Sequence, residues 1–263
     1  MAEFLNKFWG YTEHFAPVKY SFTWKHLIIF FAVLAFVIFF SMYYFRKSET
    51  RQKVFLILAS IILIIMEIVR MIWNQTVIKA TGAATTFWNI AKLDLYHVTL
   101  WVGIIALLLG IIIGYKKSIS QFLINFIFSV TAVVAIIDII YPIALDQSTY
   151  VIYHFTNLEY IISRATVILI AMFIGSTDWL ANSIDDMWMA ICSLIFVFAI
   201  GVGVYFLSAN LVDVIYITGC PWIEMTGIMI ESPWHLLIVA LFFFGMQIMM
   251  YLPFDIYRKV HKK

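Results

Sequence analysis

A hydroxyl beside an imidazole can open an ester: the oxygen attacks the carbonyl carbon while a ring nitrogen takes the proton. Thr99, with His97 two residues before it and His154 farther along, supplies those groups inside otherwise apolar stretches. His97 and Thr99 lie about 200° apart round a regular helix, so they do not share one face. Thr99 is therefore expected to meet a histidine from a neighbouring helix, with His154 the candidate. A distorted helix would let His97 serve instead. The ordinary alternative for a threonine in a membrane helix is a bond back to its own preceding turn.

Residues 151–175, VIYHFTNLEYIISRATVILIAMFIG, give this chemistry a setting. His154, Asn157, Ile161 and Arg164 fall within about 80° of one another at helical spacing and cover about 15 Å of rise. Ionisable groups in a spanning helix are expensive and rarely face lipid. The stripe is thus expected to face other helices, and the rest of the chain offers polar groups to meet it. His26 opens one apolar segment and His235 another. Glu67 and Arg70 stand three apart and share a face. Asp138 lies near the end of a further segment. The expectation is a polar cavity with Arg164 at its floor, lined by His26, Glu67, Arg70, Asp138, Asn157 and His235. Each has a plainer role available: interfacial histidines, and acids and arginines that neutralise one another.

The elements that must carry these residues follow from composition. The chain is 64% hydrophobic and only 12% charged, which excludes an ordinary soluble domain and gives no basic surface for nucleic acid. Seven segments reach spanning length: 24–45, 54–73, 93–115, 121–143, 151–175, 187–207 and 234–254. The predicted fold is therefore all-α, one polytopic membrane domain over residues 1–263 with seven transmembrane helices. Residues 3–16 carry Phe4, Leu5, Phe8, Trp9 and Phe15 near helical spacing, so a short interfacial helix is expected within residues 1–23. The stretches 74–92 and 208–233 are expected as long outer loops.

Lysine and arginine placement sets the orientation. With the N-terminus outside, the inner segments hold Arg46, Lys47, Arg51, Lys53, Lys116, Lys117, Arg258, Lys259, Lys262 and Lys263. The outer segments hold Lys7, Lys19, Lys25, Lys79 and Lys92. The inner excess predicts N-terminus outside and C-terminus inside. In that arrangement the polar groups of six helices share one depth toward the outer leaflet. Cys192 and Cys220 fall on opposite sides of the membrane and are not expected to pair; they define no metal site. No internal repeat suggests an inverted-repeat transporter.

Several short stretches, in order along nearly the whole chain, resemble a known family. They are Phe22-Thr-Trp-Lys-His26-Leu, Met66-Glu67 with Trp73, Leu95-Tyr-His97-Val-Thr99, His154-Phe155, Ser232-Pro-Trp-His-Leu-Leu, and Tyr251-Leu-Pro-Phe254. Together they resemble the YwaF family of bacterial integral membrane proteins. That family is related to the vertebrate TMEM-type acyltransferase group and, more distantly, to androgen-induced-gene lipid hydrolases. The resemblance implies a seven-helix bundle and, from the eukaryotic relatives, transfer or hydrolysis of fatty-acyl lipids by a cysteine or threonine with a histidine. Thr99 stands where the acyltransferases have cysteine, after the matching His97, and His154 stands at the second histidine. His235 occupies a place usually held by tyrosine, and Arg164 one where the bacterial proteins often have another histidine.

The expected function is a membrane-embedded acyl-lipid hydrolase or acyltransferase of the cell membrane. His97, Thr99 and His154 would carry the chemistry without metal or cofactor, and a membrane lipid or other small amphiphilic anion would be the partner. A non-catalytic lipid- or anionic-ligand-binding membrane protein, or a transporter component, is the alternative. A purely structural polar network is the third reading.

Overall fold

The computed structural model describes residues 2–11, 17, 19–45, 47–82, 85–91, 95–177, 179, 188–189, 191–193, 195–196, 199 and 234–261, and most of these are helical. The elements are α1 (Ala2–Trp9), α2 (Trp24–Phe45), α3 (Glu49–Thr81), α4 (Phe87–Ala91), α5 (Leu95–Ile113) and α6 (Ser118–Phe126). A π-helical turn (Ile127–Thr131) leads into α7 (Ala132–Ile140), followed by α8 (Ile143–Asp146), α9 (Phe155–Ser176) and α10 (Trp234–His261). Among the described residues, five helical stretches are long and apolar enough to cross a membrane: Trp24–Tyr43, Glu49–Thr81, Tyr96–Ile113, Ser118–Asp146 and Phe155–Ser176. The protein is a polytopic helical membrane protein. The apolar part of α10, Ala240–Ile256, is shorter, and most of segment 187–207 and all of loop 208–233 lie outside the described residues.

Two units make up the chain. The first comprises residues 1–91 and 135–173, the second residues 92–134 and 174–263.

In the first unit, α3 shows why the surroundings must be hydrocarbon. Its exposed face carries Leu58, Ile61, Ile62, Ile65, Ile68 and Ile72, while Glu67, Arg70 and Asn74 are buried on the opposite side. A helix in water does the reverse. In lipid this order is the favourable one, because the apolar side chains meet acyl chains and the costly polar ones are kept among helices. With 33 residues, α3 runs for about 50 Å, well beyond a hydrocarbon core of about 30 Å. It therefore extends through residues 74–81, where the sequence predicts loop. Gly82 ends it in the left-handed region (φ 72°), and its N–H donates to the carbonyl of Ile78. A second short helix, α4, occupies part of the rest of that stretch, and the Asn74 amide donates to the Ile90 carbonyl at 2.8 Å.

In the second unit, α5 packs on α6 and on the π-helical turn, and α10 also touches that turn. Gly103 permits the closest approach: a Cβ there would stand 2.5 Å from the Thr131 hydroxyl. Through that opening Thr131 Oγ1 donates to the Thr99 carbonyl at 2.9 Å. The Ser129 hydroxyl donates to the Asn125 carbonyl within the same stretch. The apolar run 121–143 is thus a composite of α6, the turn and α7. It ends at Ile140 because Pro142 disfavours helix at the residue before it.

Candidate functional site

The first unit gathers most of the polar residues singled out by the sequence, and α9 supplies the largest group. The helix begins at Phe155 rather than at 151, because His154 is its N-cap. The His154 carbonyl accepts the N–H of Asn157 and of Leu158. Its ring Nδ1 accepts the Thr156 N–H at 3.3 Å, so Nδ1 carries no proton. The proton sits on Nε2 and is donated to the Gly10 carbonyl at 2.9 Å. With that tautomer fixed, the Thr156 hydroxyl, 2.9 Å from Nδ1, is the donor of a second bond to it. Tyr150 stacks flat on the imidazole at 4.0 Å and Trp73 meets it edge-on at 5.5 Å. His154 is buried, and burial pushes its pKa below the usual imidazole value; the Gly10 carbonyl pulls weakly the other way.

Asn157 braces the turn that precedes this cap, its amide donating to the carbonyls of Val151 at 2.9 Å and Tyr150 at 3.3 Å. The end of α1 is held nearby by Trp73, whose indole N–H donates to the Trp9 carbonyl at 3.0 Å. Trp9 packs its ring on Phe155 at 4.8 Å, and Phe4 stacks on Tyr153. Within the stretch 1–23 a short helix, α1, forms with Phe4 and Leu5 exposed; residues 12–16 lie outside the described residues.

Farther along α9, Arg164 Nε donates to Asp138 Oδ2 at 3.0 Å and Nη1 to the Ser163 hydroxyl at 3.2 Å. The guanidinium lies 3.9 Å over the Tyr160 ring, and the Tyr160 hydroxyl donates to the Asp138 carbonyl at 2.7 Å. Glu67 and Arg70 form a buried ion pair at 2.7 Å within α3. Both buried arginines therefore have a carboxylate, as the cost of an isolated charge in lipid demands.

His26 accepts the Phe22 N–H at Nδ1 (3.1 Å), so its Nε2–H donates to the Ile139 carbonyl at 2.9 Å. Phe22 has φ 60°, a left-handed conformation uncommon for an aromatic residue. The bond to His26 and the rings of Tyr141 and His26 hold it there. Just before it, Asp146 Oδ1 accepts the N–H groups of Tyr20 and Ser21, and Oδ2 accepts the Ser21 hydroxyl. Sequence reasoning passed over Asp146, Thr156 and Tyr160. The signal for Asp146 was a carboxylate shortly after the proline that ends a spanning segment, a place where chain turns need an acceptor.

His97 and Thr99 belong to the second unit. Thr99 is fully buried and donates its hydroxyl to the Tyr96 carbonyl at 2.9 Å, the back-bond to its own turn. His97 is buried, with its ring edge-on to Tyr96 at 5.3 Å. His235 falls in the first turn of α10, and its side chain lies outside the described residues.

No family model matches the chain, and no curated protein or solved structure matches it.

Proposed function

We propose that this multi-pass protein crosses the cell membrane seven times, with its N-terminus outside and C-terminus inside, and acts on acyl lipids as a hydrolase or acyltransferase. The resemblance to the YwaF family supports the seven spans and the reaction class. The observation that carries the reading is the state of His154: a buried, neutral imidazole with its tautomer set by Gly10 and its unprotonated Nδ1 engaged by a hydroxyl. A general base needs that protonation state and that orientation. The apolar outer faces of α2 and α3 are suited to a lipid solvent, so an acyl substrate is already dissolved where the protein sits. His97, Thr99 and His154 are the residues the resemblance nominates for the reaction. The binding set is His26, Glu67, Arg70, Asp138, Asn157, Arg164 and His235, with a membrane lipid or other small amphiphilic anion as ligand.

The test is turnover by the purified protein in lipid nanodiscs, reading release of fatty acid or lysolipid from a fluorescent phospholipid. Loss of turnover in His154→Asn supports the reading; turnover equal to the unsubstituted protein removes His154 from the mechanism.

One observation favours a second reading, a non-catalytic lipid-binding membrane protein. The Thr99 proton is committed to the Tyr96 carbonyl rather than held against a base. Binding of the same phospholipid with no product after long incubation would favour it.

A further inference from the structure

Thr99 and Thr156 are both threonines in apolar helices, yet their hydroxyls do opposite things. Thr99 is buried and gives its one proton to a backbone carbonyl, a weak base. Thr156 is partly exposed and gives its one proton to an imidazole nitrogen. An alcohol becomes a nucleophile when a base stands ready to take its proton, with the base itself oriented by a third group. Thr156, His154 and the Gly10 carbonyl supply those three parts in order, at 2.9 Å and 2.9 Å.

We infer that Thr156 is the nucleophile of the acyl chemistry, with His154 Nδ1 as its general base and the Gly10 carbonyl as the group that positions the ring. The inference rests on the acyl-lipid reading above and replaces Thr99 in it. Thr156 Oγ attacks the carbonyl carbon of a carboxylic ester while its proton passes to Nδ1. The tetrahedral adduct collapses by breaking the bond to the ester's alkoxy oxygen, which receives that proton from Nδ1 and leaves as the alcohol. The threonine then carries the acyl group until water, or a second alcohol, attacks it with Nδ1 again taking the proton; the bond from the acyl carbon to Thr156 Oγ breaks, and Oγ recovers the proton from Nδ1.

Three features of the surroundings suit this chemistry. Thr156 lies in the first turn of the 22-residue α9, whose N-terminal end carries partial positive charge where an oxyanion would develop. The base is buried between Tyr150 and Trp73, with the Thr156 hydroxyl as the side-chain donor to Nδ1. Beside the pair, Phe4 and Tyr153 stack on each other and remain exposed, with Leu5 also exposed. That apolar surface fits a long acyl chain, so the substrate class is the fatty-acyl ester of a membrane lipid.

The experiment treats the full chain in phosphatidylcholine nanodiscs with an alkyl fluorophosphonate and maps the adduct by peptide mass spectrometry. Fluorescent phospholipid turnover is followed in parallel. The expected result is an adduct on Thr156, abolished in Thr156→Val and retained in Thr156→Ser. Turnover should fall about 100-fold or more in Thr156→Val. Unchanged circular dichroism and gel-filtration behaviour of the valine variant shows that it folds. An adduct on Thr99, or normal turnover by a folded Thr156→Val, overturns Thr156 while leaving the acyl-lipid reading standing. Neither adduct nor turnover by the unsubstituted protein overturns both.

Discussion

Arg164 joins α9 to α7 by donating its Nε–H to Asp138 across 3.0 Å, with both side chains largely withdrawn from the surface. Removing one member of a buried pair strands the other, at a cost of about 3–5 kcal/mol. Replacing both by apolar groups of similar size removes the stranded charge. Arg164→Met and Asp138→Leu are each expected to lower the thermal midpoint in detergent markedly, and the double variant to lose much less than the two together. A double-mutant cycle by differential scanning fluorimetry reads the coupling. Additive losses would mean that the pair does not act as a unit.

Asp146 supports the segment that enters α2, and its two oxygens have distinct duties. Oδ1 takes both backbone N–H groups, and Oδ2 takes only the Ser21 hydroxyl. An asparagine keeps Oδ1, and its amide nitrogen can donate to a rotated Ser21 hydroxyl. Asp146→Asn is therefore expected to cost under about 1 kcal/mol. Asp146→Ala leaves two backbone donors without their acceptor and is expected to cost about 2–4 kcal/mol. Thermal midpoints of the two variants decide it: equal losses would show that charge, rather than acceptor geometry, is what this position supplies.

The helical membrane class was legible because it depends on composition and run length, which tertiary contacts do not alter. Trp24–Phe45 was read to the residue for that reason. The continuation of α3 beyond Trp73 was not, because Asn74-Gln-Thr interrupts the apolar run while costing the backbone nothing; hydropathy measures side chains, not helix ends. The pairings inside the polar set divide in the same way. Glu67 with Arg70 follows from spacing on one helix. Arg164 with Asp138 joins two helices, and only a general rule against lone charges in lipid anticipated some partner for each. The back-bond of Thr99 follows from the known habit of threonine, whereas the bond of Thr156 to His154 depends on His154 being a cap rather than part of the helix body. That distinction sits within the few residues at a helix end where sequence patterns are weakest.

Gly103 and Thr131 form a second pair that a cycle can test. A Cβ at 103 would fall 2.5 Å from the Thr131 hydroxyl and 3.4 Å from Ile127 Cγ1. Gly103→Ala is expected to destabilise by about 1–3 kcal/mol, as overpacking does. Thr131→Ala removes the obstructing hydroxyl along with its bond to the Thr99 carbonyl, so Gly103→Ala should cost little in that background. A full penalty persisting in the double variant would place the clash elsewhere, at Ile127.

The cap at His154 gives the N-terminal end of the protein a pH dependence whose sign is fixed by the ring's bonds. Nδ1 is an acceptor from Thr156 and Nε2 a donor to Gly10, so only the neutral ring satisfies both. Burial holds the folded-state pKa below the ordinary value of 6.5. The folded form thus binds the proton less readily than the unfolded one. The stability this contributes is full above about pH 6.5 and is lost as pH falls through the lower, folded value. Protonation places an N–H against the Thr156 N–H, ending the cap and loosening the α1 contact at Gly10. Hydrogen exchange of residues 2–11, corrected for the intrinsic rate, should therefore quicken as pH is lowered well below 6.5. His154→Asn keeps a capping oxygen but has nothing to titrate. In that variant the exchange of α1 should be faster at neutral pH and flat with acidification; a pH response that survives the substitution would have another source.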